Sequence, residues 1–134
     1  MTRPAVVLAA GLAATLIAVV MTTAVPVAAA PLPHLKLKRS FPAKDTVLTS
    51  SPDAVRLWLT EKADLPATRI TVTGAGNAAV ATAKPTRGAA ADAPIEATLT
   101  QPVGAGRYTV AWKTMSKDGH VVSGTFGFTV KPAP

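Results

Sequence analysis

The chain of 134 residues contains no cysteine. This absence excludes disulfides, thiolate metal sites, haem attachment and cysteine nucleophiles, so an exported domain of this size must rely on its hydrophobic core. Acidic residues are scarce, with seven against fourteen lysines and arginines, and no segment after residue 30 has sustained helical periodicity. The basic residues are scattered except for Lys36, Lys38 and Arg39, which argues against a nucleic-acid interface. We therefore expect an all-β protein without a nucleic-acid partner.

Residues 1–29 have the architecture of a secretory signal peptide. Arg3 gives a basic start, an apolar run covers Ala5 to Val20, and no second charged residue occurs before residue 36. Small residues at Val27–Ala29 offer a cleavage site that leaves Ala30 as the first residue of the mature protein. An uncleaved membrane anchor is the alternative, because the run approaches the about 20 residues that span a bilayer. We favour cleavage and expect an extracytoplasmic protein, either periplasmic or secreted.

Residues 30–134 form one predicted domain of short strands separated by glycine and proline. Apolar residues alternate with polar ones in several segments, which is the period of a strand with one buried face. These segments are Leu35–Leu37, Val55–Leu59, Ile70–Val72, a weaker strand around Val80, Ile95–Leu99, Tyr108–Trp112 and Phe126–Val130. About seven short strands in about 100 residues predict an immunoglobulin-like or Greek-key β-sandwich.

The last two of these segments form a predicted β-hairpin with a polar corner. Asp118, Gly119 and His120 lie between its arms. Residues two apart on extended backbone point to the same side, so a carboxylate oxygen of Asp118 and an imidazole nitrogen of His120 can converge on one metal ion. Asp-Gly is also a common hairpin turn signal, so the spacing alone leaves a solvated turn as the alternative.

Three ordered blocks of the sequence resemble the CopC family of bacterial periplasmic copper-resistance proteins. WKTMSKDGHVVSGTFGFTV, residues 112–130, is similar to the family's C-terminal hairpin, with its Asp-x-His corner, Ser/Thr-Gly pair and Phe-x-Phe-x-Val strand. HLKLKRSFPAKD, residues 34–45, is similar to the family's mature N-terminus. VRLWLTEK, residues 55–62, is similar to its second strand, with Glu61 in the acidic position. Residues 71–93 carry no matching motif.

The resemblance implies a Cu(II) site formed by His34, Asp118 and His120, with Glu61 nearby as a peripheral or axial carboxylate. Two imidazoles and a carboxylate supply nitrogen and oxygen ligands, and Cu(II) prefers a tetragonal set of these. Some members of the family also carry a methionine-rich loop that binds Cu(I). This sequence lacks that loop, so we interpret Met115 as a strand residue or a neighbour of the site.

One departure from the family concerns the first ligand. In the family the histidine is the first residue after cleavage, so its α-amine also binds copper, whereas Pro33 precedes His34 here. Proline nitrogens cannot be deprotonated to serve as amide ligands. We therefore expect fewer protein ligands, and hence weaker Cu(II) binding or a water molecule in the open position.

The function implied by the resemblance is copper resistance or homeostasis, with the protein as a monomeric carrier or buffer of copper. An inner-membrane copper transporter is the partner that a carrier would need. We expect no enzyme, because the sequence has no serine nucleophile with an oriented histidine, no phosphate-binding loop and no paired-carboxylate motif. Two alternatives stay open: a copper oxygenase with a histidine brace, which needs an N-terminal histidine amine, and an immunoglobulin-like envelope interaction module without metal.

Overall fold

The computed structural model describes residue 24, residue 26 and residues 35–132. By its internal contacts the chain divides into two units, Met1–Ala30 and Pro31–Pro134. The domain formed by residues 35–132 belongs to the second unit. The signal-peptide prediction for residues 1–29 falls almost entirely outside the described residues. Within the described part of the chain, no helix is long and apolar enough to cross a membrane.

Nine strands form the described domain, and they lie in two sheets. The four-stranded sheet contains, in spatial order, β1 (Leu37–Phe41), β3 (Ala54–Leu59), β7 (Ile95–Thr98) and β6 (Thr86–Arg87). The five-stranded sheet contains β2 (Val47–Leu48), β9 (Val121–Val130), β8 (Gly106–Met115), β4 (Arg69–Thr73) and β5 (Ala79–Val80). A short 3-10 helix, Ala75–Asn77, precedes β5.

The strand order confirms the predicted immunoglobulin-like sandwich. All neighbouring strands pair antiparallel except β2, which runs parallel to β9. β1 and β2 follow each other in the sequence but lie in different sheets. Near the start of β8, the hydroxyl of Tyr108 donates a hydrogen bond to the carbonyl oxygen of Gly104, at 2.8 Å. A tyrosine that reaches back in this way fixes the corner of many immunoglobulin-like domains.

The hydrophobic core lies between the two sheets and follows the predicted alternation. Val55 and Leu57 on β3 face Val110 on β8 and Phe128 on β9, and all four are fully buried. Burial of such side chains stabilises the fold by about 1.5–3 kcal/mol each. The core therefore holds the domain together without disulfides, as the sequence requires.

Two of the nine strands are absent from the prediction of about seven. β2 and β6 contain two residues each, too few to show a period of two. β6 also lies in the stretch of residues 71–93 for which the sequence offers no motif. The seven predicted segments overlap the remaining strands, although β1 begins only at Leu37, the last residue of its predicted segment.

The hairpin of β8 and β9 is the longest paired element and positions the candidate site. Its register runs without a break from Gly106 opposite Val130 to Met115 opposite Val121. Gly124 lies opposite Trp112, and a Cβ atom on Gly124 would stand 2.9 Å from the Trp112 ring. The glycine of the Ser-Gly pair therefore makes room for the indole, which is buried against the core.

Candidate metal-binding corner

The hairpin corner is a tight loop between the ends of β8 and β9. The amide of Ser116 donates to the carbonyl oxygen of His120 at 2.9 Å, and the amide of Gly119 donates to the carbonyl oxygen of Ser116 at 3.0 Å. Gly119 has a φ of +87°, which side-chain-bearing residues rarely adopt. Lys117, Asp118 and Gly119 thus form a three-residue loop with glycine at the left-handed position.

The corner brings Asp118 and His120 together, although not for the reason inferred from the sequence. We expected extended backbone to place both side chains on one side, but Asp118 lies in a turn. The turn curls the chain, so that Oδ2 of Asp118 lies 2.7 Å from Nδ1 of His120. The two predicted ligands are therefore adjacent and share a hydrogen bond within one loop.

Ser116 is a part of this corner that the sequence analysis missed. Its hydroxyl donates to Oδ1 of Asp118, and the amide of His120 donates to the same hydroxyl oxygen at 3.2 Å. Ser116 is buried, in contrast to both of its partners. Serine is a common turn residue because its hydroxyl can bond nearby backbone groups, so its place before Asp-Gly was a signal available in the sequence.

The electrostatics of the corner keep a negative charge on Asp118. The hydrogen bond from Ser116, followed by that from His120, holds the pKa of the Asp118 carboxyl below its ordinary value. The ionised carboxylate can only accept hydrogen bonds. A neutral His120 therefore carries its hydrogen on Nδ1, between the ring and the Asp118 carboxylate.

His34, the third predicted ligand, lies outside the described residues. Its neighbour Leu35 is fully buried in the core. Lys36 is held by the end of β3: its amide donates to Oγ1 of Thr60, and its carbonyl oxygen accepts from the Thr60 amide, both at 2.9 Å. Two hydrogen bonds thus fix Lys36 against the first residue of the loop that follows β3.

That β3–β4 loop, residues 60–68, also contacts the hairpin. The amide of Asp64 donates to the carbonyl oxygen of Met115 at 2.8 Å, and the hydroxyls of Thr68 and Thr114 share a buried hydrogen bond of 2.7 Å. One loop therefore contacts Lys36 at its start and the base of the corner further along. This places the beginning of the described chain and the corner at the same end of the sandwich.

Glu61, the predicted peripheral ligand, is an exposed residue of the same loop. It lines a polar cavity with Lys62, Arg87 and the alanine-rich residues 89–91, whereas Asp118 and His120 are not among the residues lining that cavity. Within residues 35–132 there is no group of three or more histidine, cysteine, aspartate or glutamate side chains that could hold a metal ion. The described corner therefore supplies a pair of ligands.

Met115 lies beside the corner and not in it. It is half-buried at the end of β8 and lines an open cleft of about 480 Å³ with Lys62, Arg87 and Lys117. These cations disfavour a second cation in the cleft, while the ionised Asp118 offsets them at the corner. This position fits the interpretation of Met115 as a neighbour of the site.

The donors at the corner suit a borderline divalent metal. An imidazole nitrogen and a carboxylate oxygen are the ligands that Cu(II) accepts in tetragonal sites, and Cu(II) heads the affinity order of the divalent first-row metals. A pair of protein ligands leaves coordination positions for a third side chain or for water. The corner can therefore form half of a Cu(II) site.

Comparison with known proteins agrees with the fold and with this chemistry. The family model that describes the CopC domain matches residues 37–131, a range that includes Glu61, Asp118 and His120. Protein YobA of Escherichia coli strain K12 is 29% identical over 98 residues, which cover 73% of this chain and 79% of YobA.

Two solved structures have the same fold. The crystal structure of PcoC, a methionine-rich copper resistance protein from Escherichia coli, matches with a TM-score of 0.65 and 29% identity, covering 73% of this chain and 99% of PcoC. The structure of CopC from Methylosinus trichosporium OB3b matches with a TM-score of 0.65 and 23% identity, covering 75% of this chain and 97% of that one. The second match supports the fold alone.

Proposed function

Because this chain belongs to the CopC family, we propose that it is an extracytoplasmic Cu(II)-binding protein that serves copper resistance or homeostasis. The observation that carries the proposal is the contact between Asp118 and His120 at the end of a ten-residue hairpin. A carboxylate and an imidazole held this close on a rigid corner need little reorganisation to bind a cation. The protein acts as a carrier or buffer of copper.

His34 completes the proposed site as the second imidazole. The next residue along the chain, Leu35, is fully buried, and the β3–β4 loop contacts both Lys36 and the base of the corner. The proposed ligand set is therefore His34, Asp118 and His120, with Glu61 as a peripheral carboxylate.

Cu(II) is the proposed oxidation state because the ligands are nitrogen and oxygen. PcoC is described as methionine-rich, whereas this chain has three methionines in total, of which Met115 alone follows the predicted signal peptide. Thioethers are the soft ligands that select Cu(I). One thioether beside a basic cleft does not form such a site.

The signal-peptide architecture of residues 1–29 supports an extracytoplasmic location, in the periplasm or outside the cell. A monomeric carrier in that compartment would pass copper to an inner-membrane transporter. The protein would bind copper and release it without changing it chemically.

The Ser116, Asp118 and His120 side chains do not support hydrolysis, although the same residue types form catalytic triads. In a triad the histidine accepts the hydroxyl proton of the serine. Here the carboxylate lies between the two side chains, because the Ser116 hydroxyl bonds to the Asp118 carboxylate and to the backbone carbonyl oxygen of His120, and not to the His120 ring. The serine therefore has no imidazole base, and the three side chains do not form a catalytic triad.

A competition titration tests the proposal. The purified protein, freed of metal by a chelator, is titrated with Cu(II) against a chromophoric Cu(II) chelator, alongside the His120→Ala variant. We expect one Cu(II) per chain, with strongly weakened binding in the variant. Binding of equal strength in both proteins would reject the site.

A further inference from the structure

We propose that the cleft beside the hairpin corner docks a partner protein through an acidic segment that also carries apolar side chains. The cleft has a volume of about 480 Å³ and is formed by the β3–β4 loop, the last residue of β6 and the corner. The proposed copper ligands are not among the residues that line it. The proposal rests on the proposed function only where it identifies the partner as the recipient of copper.

Positive charge dominates the lining of the cleft. Lys62, Arg87 and Lys117 line it, against the single carboxylate of Asp64. Both lysines are exposed, and within residues 35–132 neither of them forms an ion pair. Charge-assisted hydrogen bonds to the carboxylates of a second molecule would satisfy them. The cleft is therefore complementary in charge to an acidic ligand.

Arg87 is the anchored cation of the three. Its Nη2 donates a hydrogen bond to the carbonyl oxygen of Ala63 at 2.8 Å, in a half-buried position, and its backbone pairs with Ile95 of β7. A guanidinium has five N–H donors, so this bond leaves donors for a carboxylate. Because the side chain is already held, it loses less conformational freedom when a ligand binds.

Apolar side chains form the rest of the lining. These are Ala63, Leu65, Pro66 and Met115. Leu65 packs against the hydrophobic core and gives the cleft a firm wall, whereas the flexible thioether side chain of Met115 can adapt to a partner of irregular shape. A ligand with carboxylates alone would leave this apolar surface in water. A segment in which acidic and apolar residues alternate covers both parts of the lining.

The shape of the cleft favours a peptide over a membrane surface. Bilayers are bound by amphipathic helices and by polybasic segments that lie along their surface. The one helix of the described chain, Ala75–Asn77, does not line the cleft. A concave site bordered by loops instead admits individual side chains, as ligand-binding clefts do.

The cleft adjoins the proposed copper site. Ser116, Lys117 and Gly119 line the cleft and belong to the same loop as Asp118 and His120. A segment bound in the cleft therefore lies beside the copper ligands and brings its own carboxylates next to them. Because Cu(II) accepts carboxylate oxygens, the segment that docks can also receive copper.

The first test uses a blocked hexapeptide of alternating glutamate and leucine, titrated into the metal-free parent in the presence of a chelator. Backbone-amide NMR shifts should change at Lys62, Leu65, Met115 and Lys117, and binding should weaken as salt is added. A peptide of alternating glutamine and leucine should bind at least about fivefold more weakly, since it lacks the charges. Equal binding of the two peptides, or no shifts at these residues, would overturn the proposal.

Anionic vesicles of phosphatidylglycerol separate a peptide from a membrane surface. Added to the same complex, they should leave the peptide bound in the cleft. Displacement of the peptide by the vesicles would assign the cleft to a lipid surface and overturn the proposal.

Charge reversal in the cleft tests which residues dock the peptide. Lys62→Glu and Lys117→Glu should each weaken binding of the glutamate–leucine peptide by at least about fivefold, because repulsion replaces a favourable charge pair. Met115→Gln, which keeps the length of the side chain, should weaken it through the apolar part. Lys131→Glu makes the same charge change beyond Val130, at the end of the hairpin away from the corner, and should bind as the parent does. An equal loss in Lys131→Glu would show an effect of net charge alone and overturn the proposal.

Docking and copper binding can fail separately in these experiments. The peptide titration contains no metal, and the Cu(II) titration contains no peptide. A parent that binds Cu(II) but not the peptide would overturn the docking cleft and leave the copper function in place. A parent that binds the peptide in the cleft but no Cu(II) would support the docking cleft and reject the copper function.

Discussion

Two acidic sites in this domain, one on the four-stranded sheet and one at the hairpin corner, differ in the charge of the groups that bind their carboxylates. On the four-stranded sheet, Arg56 binds Asp53 through Nη2 at 2.9 Å and Glu96 through Nε at 2.5 Å. Arg56 also lies over the ring of Phe41, 5.4 Å from its centroid. A permanent cation thus pairs with both carboxylates, and a metal ion would have to compete with the guanidinium for them.

At the corner the Asp118 carboxylate has neutral partners instead. A hydroxyl from Ser116 and a ring nitrogen from His120 bind its two oxygens, and neither partner carries a permanent charge. The carboxylate remains negative, and the imidazole keeps a free nitrogen. The comparison shows that an acidic side chain is available to a cation only when hydrogen-bond donors hold it without cancelling its charge.

The largest expected effect comes from removing the imidazole at the corner. His120→Ala deletes a copper ligand on a preorganised hairpin, so the Cu(II) affinity should fall by more than the about 10–100-fold typical of losing an orienting group. Competition against a chromophoric chelator measures this loss. The effect should be at least as large as that of His34→Ala, because a residue near a chain terminus is less firmly held. A variant that keeps the parent's affinity would favour the interaction-module alternative.

Substitution of Asp118 should rank second. Asp118→Ala removes a negative charge and loosens the turn, and we expect a loss of about 10–100-fold in Cu(II) affinity. Asp118→Asn keeps an oxygen and the turn preference, so the difference between the two variants isolates the charge. Equal affinity in Asp118→Asn and the parent would contradict the claim that the negative charge of Asp118 contributes to copper binding.

Glu61 should matter least for copper. It is exposed and lines a cavity with Lys62 and Arg87, whose positive charges offset its own, and neither Asp118 nor His120 lines that cavity. We expect Glu61→Gln to change the Cu(II) affinity by less than about fivefold, the range of exposed charge pairs. A loss as large as that of Asp118→Ala would make Glu61 a direct ligand.

The cluster on the four-stranded sheet should affect stability and not copper. The pKa of Asp53 is lowered, chiefly by its hydrogen bond from Arg56, so the folded protein binds fewer protons than the unfolded chain does. The stabilisation is complete above the ordinary aspartate value of 3.8 and is lost as the pH falls through the lowered folded value. Because Asp53 is largely exposed, the contribution is less than about 1 kcal/mol.

Thermal melts of Asp53→Asn and the parent across this acidic range measure the effect. The variant should be slightly less stable at neutral pH, and the difference should shrink below the ordinary pKa of aspartate. Asp92→Asn, in an exposed loop, is the control. A difference between Asp53→Asn and the parent that grows with acid would contradict the sign worked out here.

Much of the fold was predictable because alternation reports burial directly. The residues that alternate inward on β3, β8 and β9 are the buried ones, including Val55, Val110 and Phe128. β2 and β6 were missed because two-residue strands owe their pairing to neighbours more than to their own pattern; β5 is equally short, and only Val80 signalled it. The parallel pairing of β2 with β9 is likewise a tertiary feature.

The sequence predicts residue types for the proposed site, but it does not predict the geometry of the corner. Asp118 and His120 were identified by spacing and resemblance, yet the turn that joins them depends on hydrogen bonds from Ser116 and on the positive φ of Gly119. Sequence spacing cannot show that Glu61 lines a separate cavity. That separation depends on how the β3–β4 loop packs against the hairpin.

The most direct test of the central claim is electron paramagnetic resonance of the protein with one equivalent of Cu(II). A neutral imidazole beside an ionised carboxylate should give a tetragonal Cu(II) spectrum with hyperfine coupling to nitrogen, and that coupling should weaken in His120→Ala. The same spectrum should persist in Asp53→Asn, because in the parent the Asp53 carboxylate is paired with Arg56 and does not bind copper. A spectrum of copper bound by oxygen alone, or one that His120→Ala leaves unchanged, would contradict the account.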